Sequence, residues 1–140
     1  MFVREKTIQS LKDNQIKKYG EIKIQELPFV RKINLRFDPN NQDYMSLCSK
    51  ILENIIPIKP NTYIKNEKLS IIWLGPNEWL IVSNDENDLC EKLNDQIGDL
   101  ETSVTDVSEN RTIIRVSGKK INILLSKFLV LDLEKNLSTI

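Results

Sequence analysis

Ser70-Ile-Ile-Trp-Leu-Gly-Pro-Asn-Glu-Trp-Leu-Ile-Val-Ser83 reads as two apolar strands joined by a tight turn, with a tryptophan on each arm. Pro76 supplies the fixed φ of a turn's second position, Asn77 tolerates the third, and Gly75 opens the turn without steric cost. The simplest register pairs Leu74 with Trp79. Side chains alternate along a strand, so that register sets Ile72, Leu74, Trp79 and Ile81 on one face and Ile71, Trp73, Leu80 and Val82 on the other. Both faces are apolar, whereas an antiparallel hairpin with a wet side alternates apolar and polar residues. Cover is therefore expected on both sides: helices on one, and a second sheet or a partner chain on the other.

N-terminal to this hairpin, Ile33, Leu35 and Phe37 alternate with Lys32, Asn34 and Arg36, which predicts a strand over 29–37 with one wet face. Asp38-Pro-Asn-Asn-Gln breaks it. Tyr44, Leu47, Cys48, Ile51, Leu52 and Ile55 then recur at helical spacing, giving a helix that ends near Pro57. Burying each large side chain of that stripe contributes about 1.5–3 kcal/mol before entropy, so packing rather than propensity holds the helix.

C-terminal to the hairpin, Ser83-Asn84-Asp85-Glu86 suits a helix cap. Leu89, Cys90, Leu93 and Ile97 make a second stripe, with Gly98 as its stop. Two further period-two runs, 102–107 and 111–116, predict strands, and Ile121, Leu124, Leu125 and Phe128 predict a third helix after Ser117-Gly118. From Phe29 to Val107 the order is β-α-β-β-α-β, a ferredoxin-like split βαβ unit of α+β class. A further β-α begins at Arg111 and forms an incomplete second repeat. Residues 21–140 are expected to be one α+β domain, preceded by an N-terminal arm over 1–20, where five basic residues face two acidic ones.

Composition narrows the function classes. The chain has 140 residues, 40% hydrophobic and 29% charged, as in soluble domains. Lys plus Arg and Asp plus Glu number 20 each, so no net field draws in nucleic acid or acidic lipid. The first twenty residues carry no apolar run, which points to the cytoplasm and away from a membrane. Nine acidic residues and one lysine between Asp85 and Glu109 read as a solvated helix face and loop, with a docking surface for a basic partner as the alternative. Cys48 and Cys90 stand outside any disulfide framework or metal-ligand spacing. There is no histidine, so Ser-His and Cys-His nucleophile schemes cannot be built within one subunit. No Gly-rich dinucleotide fingerprint is present either. Catalytic, cofactor and metal residues are accordingly expected to be none.

Two segments resemble a known family. Trp73-Leu-Gly-Pro-Asn-Glu-Trp-Leu80 is similar to a motif of the gamma subunit of heterotetrameric sarcosine oxidase. Asp106-Val-Ser-Glu-Asn-Arg-Thr-Ile-Ile-Arg-Val-Ser-Gly118, followed by Leu124-Leu125 and Leu131-Asp-Leu133, resembles that family's second hallmark and also the start of the folate-binding domain of glycine-cleavage aminomethyltransferases. The resemblance implies an aminomethyltransferase-like fold and a complex that oxidises the N-methyl group of sarcosine. FAD, FMN, NAD and tetrahydrofolate would be bound in partner subunits, and this chain would be an assembly component beside large flavoprotein subunits. It marks Trp73, Gly75, Pro76, Glu78, Trp79, Asp106, Ser108, Arg111 and Gly118 as motif or interface residues. Trp73 and Trp79 read as core or interface anchors, with ligand stacking as the alternative. Asp106 and Arg111 bracket a turn and read as an ion pair or an Asx-type turn, with a folate-like pocket at Asp106 as the alternative. Gly118 reads as a tight turn. A stand-alone folate-binding or one-carbon-transfer module is the competing function; the subunit reading predicts that the isolated chain is marginal, self-associates or aggregates.

Overall fold

The computed structural model describes residues 17–84, 88–98, 101–130 and 138–139. It is a mixed α/β structure with antiparallel sheets, and its contacts define two compact units: Val30–Glu109 with Lys135–Ile140, and Met1–Phe29 with Asn110–Glu134.

The larger unit grows from strand β3 (Arg31–Arg36) and the hairpin β5 (Leu69–Gly75) and β6 (Glu78–Ser83). With β4 (Thr62–Lys65), β7 (Ser103–Asp106) and the short β9 (Ser138–Thr139) they form a six-stranded sheet ordered β7-β3-β6-β5-β4-β9. Every pairing is antiparallel except β4 with β9. Helix α1 (Gln42–Ile51) starts at Asn41, whose side chain accepts from the N–H groups of Asp43 and Tyr44 at 3.1 and 3.2 Å. Helix α2 (Leu89–Ile97) starts at Asp88, which accepts from Glu91 N–H at 3.1 Å. The core joins Ile33, Leu35, Phe37, Ile71, Trp79 and Ile81 from the sheet to Cys48, Leu52 and Ile56 in and beyond α1, and to Leu93 and Ile97 of α2.

Four expectations change. The hairpin pairs Trp73 with Trp79, not Leu74, because a bulge between Trp73 and Gly75 sets Leu74 out of the ladder. Ile71, Trp73, Trp79 and Ile81 therefore share the core face, Leu74 is exposed at 41%, and Ile72, Leu80 and Val82 lie half-buried on the other face. Helix α1 stops at Ile51, and Ile55, placed in its apolar stripe, is exposed at 76% while Ile56 enters the core. The cap of α2 is Asp88 rather than the Ser83–Glu86 cluster, of which residues 85 and 86 lie outside the described residues. Lys32, assigned to the wet face of β3, is only 3% exposed.

The smaller unit contains β1 (Lys17–Tyr19), β2 (Ile22–Glu26), β8 (Ile114–Ser117) and the five-residue α3 (Ile121–Leu125). Its sheet is ordered β1-β2-β8, all antiparallel. The N–H of Leu27 extends the β2–β8 ladder to Ile113 O at 2.9 Å, and Lys120 pairs with Glu21 at 3.2 Å. Residues 1–16 of the expected arm, and Leu131-Asp-Leu133, lie outside the described residues, and the rest of the arm contributes β1.

Candidate functional site

The two tryptophans are direct cross-strand partners and sit in different surroundings. Trp79 is 0% exposed; its ring lies 4.8 Å from that of Phe37, tilted by 31°, and its Nε1 donates to Pro57 O at 2.7 Å. A buried indole N–H needs such an acceptor, and Pro57 follows α1 closely enough to supply one. Trp73 is half-buried with a buried Nε1 that has no hydrogen-bond partner among the described residues. At the turn, Pro76 and Asn77 are exposed, Asn77 O accepts from Phe37 N–H at 3.3 Å, and Gly75 keeps an ordinary φ. Glu78 takes Asn34 Nδ2–H at 2.8 Å on the face away from the core.

The second motif opens at the end of β7. Ser108 N–H donates to Asp106 Oδ1 at 2.8 Å, an Asx-type turn, and Arg31 Nη1 lies 3.7 Å from Asp106 Oδ2. The Ser108 side chain beside it, the Ser108 N–H and the charges of Arg31 and Lys32 hold the Asp106 carboxyl below the ordinary carboxylate range, against the opposing effect of partial burial. Ser108 itself is buried; its Oγ accepts Lys32 N–H at 2.9 Å and faces Lys32 O at 3.3 Å. The cation beside Asp106 is thus Arg31; Arg111 is exposed and belongs to the smaller unit. Gly118 belongs there too, with φ +141°, and a Cβ on it would collide with the carbonyl of Glu21. It is a junction glycine between β8 and α3.

The structure therefore joins Trp73 to Trp79 and Asp106 to Ser108, and leaves Arg111 and Gly118 in a separate unit. Arg31, Lys32, Phe37 and Pro57 were not singled out from sequence, and a carbonyl acceptor such as that of Pro57 leaves no side-chain signature. An open groove of about 460 Å³ is lined by Arg36, Phe37, Asp38, Asn77, Glu101, Thr102 and Ser103. Neither tryptophan, nor Asp106, nor Ser108 lines it. Burial pushes the Cys48 thiol up to about 12, and burial followed by the charges of Asp106 and Asp88 raises that of Cys90, with Arg31 opposing. Among the described residues no cluster of His, Cys, Asp or Glu could hold a metal ion, and no helix is long and apolar enough to cross a membrane.

Comparison with known proteins gives a consistent result. The chain is 25% identical over 114 residues to sarcosine oxidase subunit gamma of Corynebacterium sp. (strain P-1), and 24% identical over 114 residues to that of Arthrobacter sp.. Each alignment covers 81% of this chain and 56% of the relative, so the chain spans about half the length of these curated relatives. A chain of the heterotetrameric sarcosine oxidase from Corynebacterium sp. U-96, solved in complex with pyrrole 2-carboxylate, has the same fold: TM-score 0.74 at 23% identity, covering 82% of this chain and 60% of that one. The family model described as sarcosine oxidase, gamma subunit family, matches residues 38–138, a stretch that begins just after β3 and takes in the hairpin and the Asp106–Gly118 segment, and the chain belongs to that family.

Proposed function

We propose that this chain is a structural, non-catalytic subunit of a complex that oxidatively demethylates sarcosine, with the flavin and tetrahydrofolate chemistry housed in larger subunits. The observation that carries the reading is where the motif residues go. Trp79 is consumed by the core and Pro57 O, and Asp106 by a turn with Ser108, so residues of both hallmark segments serve the fold. FAD, FMN and NAD are assigned to the large flavoprotein partners on the family resemblance. Nucleic acid and membrane are not proposed as partners, on the balanced charge.

A finer description of the fold accompanies this role. The strand order β7-β3-β6-β5, with α1 and α2 both contributing to one core, supports a ferredoxin-like split β-α-β-β-α-β unit. The β8-α3 succession supports an incomplete second repeat, beginning at Arg111, within a domain over 21–140. Trp73, Gly75, Pro76, Glu78, Arg111 and Gly118 are proposed as motif or interface positions.

Co-expression with flavoprotein large subunits tests the reading: a stable flavin-containing complex that oxidises sarcosine is expected, with loss of assembly when this chain is omitted. The chain alone is expected to self-associate. Saturable quenching of Trp73 and Trp79 fluorescence by a reduced folate, in a stable monomer, would overturn the proposal in favour of a folate-binding module.

A further inference from the structure

The chain enters the larger unit at Val30 and leaves it after Glu109, and one side chain holds both places. Lys32 Nζ donates to Val30 O at 2.8 Å and to Ser108 O at 3.2 Å. The rest of the residue makes the same connection: Lys32 N–H reaches Ser108 Oγ at 2.9 Å, and Lys32 O accepts Val107 N–H at 2.9 Å. Lysine ordinarily sends its ammonium to water along a flexible four-carbon stem, and Asn34 and Arg36, which follow it on the same side of β3, are more exposed. Withdrawing a cation from water is unfavourable unless its protons find acceptors. Two of its acceptors here are backbone carbonyls, at the entry and at the exit, and the Asx turn of Asp106 holds the N–H of Ser108, the residue whose carbonyl is the second of them.

We infer that the Lys32 ammonium is a clamp on the two crossings, so that the chain segments at Val30 and at Ser108–Glu109 open together rather than independently. Strand pairing ties β3 to β7 by their backbones, and the ammonium carries the tie on to Val30, which lies before the first ladder residue, Arg31.

Two measurements on the full chain test the clamp. In the native protein, competitive acetylation read by mass spectrometry should modify Lys32 at least tenfold more slowly than the exposed Lys23, Lys59 and Lys65. Equal reactivity would overturn the inference. In Lys32→Met, amide hydrogen exchange should accelerate at least tenfold on both sides, at Val30–Lys32 and at Val107–Glu109, while Leu80 and Ile81 of β6 keep their protection. Acceleration on one side alone, or on neither, would also overturn it. Should the methionine variant fail to fold, the acetylation result on the native chain decides.

Discussion

Trp79 concentrates the stability of the larger unit in one side chain, because its indole is fully buried, packed on Phe37 and bonded to Pro57 O. Trp79→Phe removes the bond, strands that carbonyl and leaves part of the ring volume empty, so a loss of about 2–3 kcal/mol is expected by urea denaturation. Asp106 gives a pH-dependent signature. Its folded pKa lies below its unfolded one, so its contribution is complete above the ordinary aspartate range and disappears as pH falls through the depressed value. The stability difference between the native chain and Asp106→Ala should therefore be present at neutral pH and vanish in acid; a difference independent of pH would contradict the Ser108 and Arg31 contacts as its cause. Trp73, Trp79, Asp106 and Ser108, singled out from the sequence, all sit at structured positions. Their partners were not legible there: Pro57 takes part through a backbone carbonyl, and Lys32 through a burial that no residue pattern encodes.

Elements were read well where periodicity was strong and ended badly where it was not. The hairpin, both longer helices and β3 follow from spacing, but the register slipped by one residue, because strands apolar on both faces give no polar mark against which a bulge at Leu74 could be detected. Strands β4 and β2 were missed as elements: Tyr63-Ile-Lys65 is too short to show a period, and Ile22 and Ile24 were counted only as part of a denser apolar pattern. The bulge makes its own prediction. Leu74→Ser should change stability by less than about 0.5 kcal/mol, as expected of an exposed position outside the ladder. The same substitution would cost far more if Leu74 paired with Trp79 inside the core. At the start of α1, Asn41→Ala should cost about 1 kcal/mol, since two N–H groups lose their acceptor. Both are read from the midpoints of chemical denaturation.

At the scale of the molecule, the two units differ in how the chain builds them. Nearly all of the larger one is continuous, from Val30 to Glu109, whereas the smaller one needs segments from either side of it. A fragment 30–109 is expected to fold by itself, with the blue-shifted fluorescence of a buried Trp79; emission at the wavelength of free tryptophan would show that the flanking segments are needed. The discontinuity was invisible to a reading along the sequence, because β2 did not stand out as a strand and its pairing with β8 is a long-range fact. It also imposes an order on biosynthesis. Glu26 of β2 pairs with Ile114 of β8, about ninety residues later, so at ordinary translation speeds the edge of β2 that faces β8 stays unpaired for on the order of five to twenty seconds before β8 leaves the ribosome. During that interval the nascent polypeptide is open to adventitious strand pairing, and slower elongation or a scarcity of chaperones should lower the yield of native protein well before either unit's equilibrium stability becomes limiting.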